Sequence, residues 1–236
     1  MSHNSLFQQG TMQLLSEGLL DGSITLKELL SHGNTGIGTG EGIDGELIII
    51  DGVGYKINHY GETEILNDSF NITFADTHFD HYQLLTDVHD VDLTTCLNDI
   101  KQLISGNNLF FSVKLHGNFK QITTRSAKKS VKPYPNLEKV GENQVEFTAK
   151  NVTGTLISYY SPMLYQGVTV AGFHSHFLAD NLSIGGHVLA AEIDHVIAYT
   201  QIFRSFLQSN PIDNSDFIHA DLSDINKLDT VIKQVE

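Results

Sequence analysis

Gly172-Phe173-His174-Ser175-His176-Phe177, followed by Gly185-Gly186-His187, is the most informative stretch of the chain. Val168 to Phe177 is an apolar, β-branched run and reads as a strand. Side chains alternate along a strand, so His174 and His176 share a face with Cβ atoms roughly 6–7 Å apart. Leu178 to Gly186 is polar and glycine-ended, which reads as a turn or loop. It can return the chain antiparallel and bring His187 beside the other two. Three neutral imidazoles with open positions left over form a common catalytic zinc arrangement. A His-x-His pair alone is more often a half-buried polar pair than a pair of ligands. The third histidine, its Gly-Gly lead-in and the apolar flanks (Val168, Val170, Phe173, Val188, Leu189) favour the metal.

Outward from this stretch, strands are expected at Val188–Ala198, Val152–Tyr159 and Val145–Phe147. Leu109–Leu115 and Phe119–Thr124, joined at His116-Gly117-Asn118, read as a hairpin. Leu93, Leu97, Ile100 and Ile104 lie on one face of a helix that Ser105-Gly106-Asn107 ends. Lys128 to Asn136 is a basic, proline-containing loop. Nearer the N-terminus, Met12, Leu15, Leu19 and Leu20 recur at helical spacing, and Thr25 with Glu28 forms a capping box for a short helix. His32 to Gly45 carries six glycines and reads as a loop with special backbone angles. Glu46–Ile50, the turn Asp51-Gly52 and Val53–Asn58 make a second hairpin, and Asn71–Phe74 another strand. The tail, Asn210 to Glu236, is polar and partly helical.

The class is α+β: predominantly antiparallel or mixed β-sheets in two β-rich halves with a few helices. Residues 1–90 form an N-terminal helix-plus-strand half carrying the glycine-rich loop and Glu46. Residues 91–236 form a C-terminal β-rich half carrying the three histidines.

The 236 residues suffice for a real core, and 40% hydrophobic with 18% charged residues suits a globular protein. A formal net charge of −14 argues against nucleic acid or an anionic membrane as partner. An anionic substrate then needs a local positive site, such as a metal or an arginine. A single cysteine, Cys96, fits a reducing compartment. The start of the chain lacks a basic segment followed by an apolar one, and the longest apolar run, Leu47 to Ile50, cannot cross a membrane. A soluble cytoplasmic protein is expected.

Two further residues are placed for chemistry. Glu46 opens a strand directly after a flexible loop, where a carboxylate can serve as ligand or proton donor. Its plainer reading is a solvated charge at a strand end. Arg125 and Arg204 are the only arginines. Arg125 ends a strand, where a guanidinium can clamp a carboxylate in bidentate fashion; the plainer reading is a surface arginine facing an acidic neighbour. Asp76-Thr77-His78-Phe79-Asp80-His81, with His89, Asp90 and Asp92, is rich in metal-capable side chains but reads as a solvated acidic loop. Ser175 faces away from the histidines, so a Ser–His hydrolase is poorly supported. A Gly-x-Ser-x-Gly elbow, a phosphate-binding loop and a dinucleotide fingerprint are all absent from the sequence.

Gly36-Ile37-Gly38-Thr39, then Asp44-Gly45-Glu46-Leu47 and Asp51-Gly52, resembles the N-terminal signature of the α-acetolactate decarboxylases. The His-x-His…Gly-Gly-His-Val-Leu element is similar to that family's metal motif. Arg125 before Lys132-Pro133-Tyr134 matches its arginine segment, and Phe217 to Leu222 its Phe-x-x-Ala-Asp-Leu. The resemblance runs over roughly residues 7 to 225. It implies conversion of 2-acetolactate to acetoin and carbon dioxide on a bound Zn2+ acting as Lewis-acid electron sink, other divalent transition metals being possible. It implies His174, His176 and His187 as ligands, Glu46 in proton handling and Arg125 facing the substrate. It also implies a homodimer acting on a small 2-hydroxy-3-keto acid. The chain departs from the pattern at Ser215, where the family has a further glutamate, and at Ala190, usually aspartate. A metal-binding protein of the same fold with lost activity, and a three-histidine metallohydrolase, stay open as alternatives.

Overall fold

The computed structural model describes residues 4–223. In chain order these form β1 (Ser5–Gln9), α1 (Met12–Ser16), β2 (Ile24–Thr25), α2 (Leu26–Leu30), β3 (Thr35–Gly40), β4 (Glu46–Ile50), β5 (Val53–Ile57) and β6 (Thr63–Ile65). Next come β7 (Asn71–His78), β8 (Gln83–Asp92), α3 (Leu93–Ile104), β9 (Phe110–Ser126), α4 (Leu137–Gly141) and β10 (Val145–Ser161). The last elements are β11 (Gly172–Ala179), β12 (Gly185–Phe203), β13 (Ser205–Ser209) and α5 (Ser215–His219). The first sheet has the order β13-β1-β7-β3-β4-β5-β6, with β2 on β7; the second runs β11-β10-β9-β12-β8. Among the described pairings of these strands only β1–β13 is parallel. This is the expected α+β architecture of antiparallel and mixed sheets with few helices. The chain passes from the first sheet to the second between His78 and Gln83 and returns to the first at Ser205.

Alternation along β4 shows how the layers stack. Leu47 and Ile49 point to one side and pack with Leu26 and Leu29 of α2. Ile48 points to the other and packs with Ile157 and Leu178 of the second sheet. The far face of the second sheet is covered by α3 through Leu93, Cys96, Leu97 and Ile100. A fourth apolar cluster joins Met12 and Leu15 of α1 to Ile43, Phe74 and Leu137. No helix among the described residues is long and apolar enough to cross a membrane.

The capping box is present in both halves: Thr25 Oγ1 accepts from Glu28 N–H, and the Glu28 carboxylate accepts from Thr25 N–H at 2.8 Å. The helix Leu93–Ile104 also forms, with Asp92 as its N-cap.

Several expectations are corrected. The glycine-rich segment is not a loop throughout: residues 35–40 form the fully buried strand β3 between β4 and β7. Its glycines serve close approach rather than flexibility, since a Cβ on Gly38 would collide with the carbonyl oxygen of Phe74 on β7. The hairpin expected over 109–124 is one continuous strand, β9. Residues 116–118 stay paired to β10 on one side and β12 on the other, and these ladders overrule the local turn signal. Val145–Phe147 and Val152–Tyr159 likewise join in β10 across Asn151, whose φ of 52° marks a local irregularity. The strand expected from Val168 starts at Gly172, because the Val168 carbonyl is taken by Met12 N–H and the Gln8 amide. The helix around Met12 ends at Ser16, before Leu19 and Leu20.

The solvated acidic loop expected at 76–81 is overturned for residues 76–78, whereas Phe79 to His81 lie in the connection to β8 with Phe79 and His81 exposed. Asp76, Thr77 and His78 are buried in β7, which is paired on both edges. His78 Nδ1 is 2.7 Å from Tyr159 Oη, and Asp80 pairs with Lys114 at 2.7 Å. Of the tail, residues 224–236 lie outside the described part.

Candidate metal centre

β11 carries His174 and His176 on the same face as Leu178, which packs against the first sheet. Phe177 and Ala179 point the opposite way into the α3 side. Pleating alone thus aims both imidazoles between the sheets. A turn at residues 180–184 reverses the chain, and β12 pairs antiparallel with β11, His187 directly opposite His176. On its other side β12 pairs with β9, and there His187 is opposite Arg125. Strands β9, β10, β11 and β12 therefore close a ring, with His187 at the seam. Gly186 makes the seam possible. Its φ is +122°, and a Cβ there would lie 2.6 Å from the Arg125 carbonyl oxygen.

The first sheet supplies Glu46. It shares the face of Ile48 and so turns toward the second sheet; at 8% exposure it is not the solvated charge its sequence position suggested. Its Oε2 is 3.3 Å from His176 Nε2. Thr39, buried on β3, donates to the Gly45 carbonyl at 2.7 Å and so anchors the backbone just before Glu46.

The three ring centroids are 5.0 Å (His174–His176), 5.0 Å (His174–His187) and 5.6 Å (His176–His187) apart. One ligating nitrogen from each ring lies within 4.8 Å of the others. His176 Nδ1 is 2.7 Å from the Leu47 carbonyl oxygen. A carbonyl only accepts, so that nitrogen carries the proton and Nε2 keeps its lone pair. This Nε2 is buried without a hydrogen-bond partner among the described residues; its approach to Glu46 lacks hydrogen-bond alignment. Arg125 Nη2 lies 3.1 Å from His187 Nε2, which leaves His187 Nδ1, 3.2 Å from His174 Nε2, as the ring nitrogen turned toward the other histidines.

Burial pushes the His174 imidazole down to about 4, helped by the Arg125 charge. Burial, then the neighbouring His174 and the Arg125 charge, holds His176 and His187 well below the ordinary histidine range. All three are neutral near pH 7, the form that ligates metals. The 3.2 Å between His174 Nε2 and His187 Nδ1 is close to the edge, about 3.3 Å, of a tetrahedron with metal–nitrogen bonds of about 2.0–2.1 Å. An orphaned buried lone pair and neutral donors at that spacing fit a divalent transition metal.

The structure thus gathers all five residues singled out in the sequence around one cavity. Met12, Leu15, Ile43, Phe74 and Leu137 form its apolar wall, and Thr39 and Gln144 also line it. The sequence did not reveal these lining roles. Two helices, two strands and two connecting segments far apart in the chain supply them, and no local pattern links such positions. Ser215 does not line this cavity; it lies exposed at the start of α5, its Oγ 3.5 Å from His219 Nδ1.

Comparison with known proteins bears on this cavity. The family model for alpha-acetolactate decarboxylase matches residues 6–224. The chain belongs to the alpha-acetolactate decarboxylase family.

It is 36% identical to the alpha-acetolactate decarboxylase of Brevibacillus brevis over 225 residues, covering 94% of this chain and 78% of that one. It is 35% identical to that of Lactococcus lactis subsp. cremoris, with 92% of each chain covered. The crystal structure of the Bacillus subtilis alpha-acetolactate decarboxylase superposes with a TM-score of 0.93 at 25% identity, over 98% of this chain and 99% of that one. A Staphylococcus aureus protein described as similar to alpha-acetolactate decarboxylase gives 0.95 at 34% identity, over 99% of this chain and 100% of that one. The expected family and enzyme class are therefore met, and neither a metallohydrolase nor an inactive relative is favoured.

Proposed function

We propose that this member of the alpha-acetolactate decarboxylase family holds a single Zn2+ through His174, His176 and His187, with Arg125 and Glu46 acting on the substrate. The observation that carries the reading is the buried, unshared lone pair of His176 Nε2 beside two further neutral imidazoles. Bound there, a zinc ion supplies a Lewis acid able to take up the electron pair released as carbon dioxide leaves.

The residues of the chain do the rest. Arg125 is the cationic side chain lining the cavity in a protein of net charge −14, and it receives the carboxylate of 2-acetolactate. It holds that group so that the bond to be broken stands out of the plane of the adjacent ketone. The wall of Met12, Leu15, Ile43, Phe74 and Leu137 seats the methyl groups and excludes water. As the carbon–carbon bond breaks, its electron pair stays with the substrate. Glu46, within reach from the first sheet, returns one proton to the carbon that lost carbon dioxide and so completes acetoin. The Leu47 carbonyl, by fixing the His176 proton on Nδ1, keeps Nε2 turned to the cavity.

The reaction consumes one proton and needs no organic cofactor. The neutral nitrogen donors suit zinc, and imidazole also accepts other late divalent metals. The lone, buried Cys96 fits a reducing, cytoplasmic setting. The family resemblance extends the reading to a homodimer, which light scattering of the purified protein checks. The decisive experiment measures metal per chain and acetoin formed from racemic acetolactate. Bound metal with acetoin is the expected result; protein that takes up no metal and yields no acetoin overturns it.

A further inference from the structure

A second group of metal-capable side chains lies outside the cavity. β8 is the edge strand of the second sheet and pairs antiparallel with β12. In that ladder His89 is directly opposite His195, and Asp87, two residues before His89, is opposite Ile197. Alternation puts all three side chains on one face. The two imidazoles stack with centroids 4.2 Å apart and planes inclined by 8°. Both Nε2 atoms converge on the same carboxylate oxygen: His195 Nε2 is 2.7 Å and His89 Nε2 3.4 Å from Asp87 Oδ1. One donor atom from each residue lies within 4.8 Å of the others.

We infer that Asp87, His89 and His195 form a second, surface site for a late divalent transition metal. Two borderline nitrogen donors and one carboxylate oxygen suit zinc, nickel or copper rather than magnesium or calcium. The three residues are between 45% and 61% exposed, so the remaining positions stay open to water and the ion enters without any opening of the fold. The surroundings favour a cation. Asp90 on β8 and Glu192 and Asp194 on β12, the two strands of the site, gather around Lys120 of β9, and the whole chain is strongly acidic. The donors come from both strands of the β8–β12 ladder, so a bound ion cross-links the edge strand to its neighbour. It therefore stabilises the folded state by mass action. The site is separate from the buried histidines, and the inference does not depend on their role.

The test is equilibrium dialysis of the full-length protein against Ni2+, with bound metal counted per chain, alongside thermal unfolding with and without Ni2+. The double substitution His89→Ala with His195→Ala is the comparison. Wild type is expected to bind one equivalent more than the double variant. Its unfolding midpoint should rise with Ni2+ by more than the variant's does. Asp87→Asn should weaken the extra equivalent without abolishing it, and acetoin formation should be unchanged in all of these. Equal metal counts in wild type and double variant, or an equal rise in midpoint, overturn the inference. Because the readout is a difference between two proteins that both keep His174, His176 and His187, it stands whether or not the buried centre takes metal. If the double variant fails to fold, His195→Gln replaces it, since that change removes a donor nitrogen while keeping a polar side chain on the ladder.

Discussion

Arg125 and His187 are cross-strand partners, and the Arg125 guanidinium reaches His187 Nε2 at 3.1 Å. The residue proposed to meet the substrate anion is therefore built into the ladder that presents a proposed metal ligand. Arg125→Ala should keep bound metal but lose turnover by about 10²-fold or more, the scale for removing one charge-stabilising donor. Metal analysis and acetoin assays on the same preparation check this. A fully active variant would remove Arg125 from the chemistry.

His176→Ala should lose metal and activity together. The ring is 1% exposed and holds the Leu47 carbonyl, so the change also leaves that acceptor unpaired and opens a cavity between the sheets. A fall in stability of about 1–3 kcal/mol should accompany it, read by chemical denaturation.

Glu46→Gln preserves shape and removes the exchangeable acid. The expected outcome is a fall in kcat of about 10²-fold with KM changed little, since protonation rather than binding is lost. Steady-state kinetics separate the two. A large rise in KM at constant kcat would assign Glu46 to binding instead.

Asp76 offers a pH test. Burial pushes its carboxyl from 3.8 up to about 8. The folded protein keeps a proton that the unfolded chain releases above about pH 4. The unfolded state therefore binds fewer protons in this window. This contribution to stability is complete below pH 3.8 and is lost as pH rises through about 8. Asp76→Asn cannot ionise, so its unfolding midpoint should gain on wild type steadily from pH 5 to about 8.5. Parallel midpoint curves would mean Asp76 is ionised in the fold.

Gly38→Ala tests the close approach of β3 to β7. The added methyl meets the Phe74 carbonyl and the Ala75 side chain, neither of which can yield cheaply. A loss of about 2 kcal/mol or more is expected from denaturant titration.

The site was legible where chemistry and local period coincide. His174 and His176 announce a shared face, and Gly185-Gly186 before His187 announces a returning chain, because both signals act over a few residues. Glu46 could be singled out as a strand-opening carboxylate, but its burial was not legible, since that depends on Ile48 finding Ile157 and Leu178 some hundred residues away. Strand continuity was the part least written in the sequence. His116-Gly117-Asn118 looks like a turn, and only the two flanking ladders keep it extended. The same holds for Asp76 and His78, polar residues drawn inside by a strand paired on both edges. Local composition reports propensity, and here long-range pairing outweighs it.

The parallel pairing of Ser5–Gln9 with Ser205–Ser209 has a consequence for biosynthesis. During translation the strand Ser5–Gln9 waits with one side bare until Ser205–Ser209 has left the ribosome. The intervening β9–β12 ring needs nothing beyond Phe203 and can assemble earlier. Ribosome-bound nascent chains released before residue 205 should therefore expose a sticky edge and recruit chaperones, whereas chains a few residues longer should not.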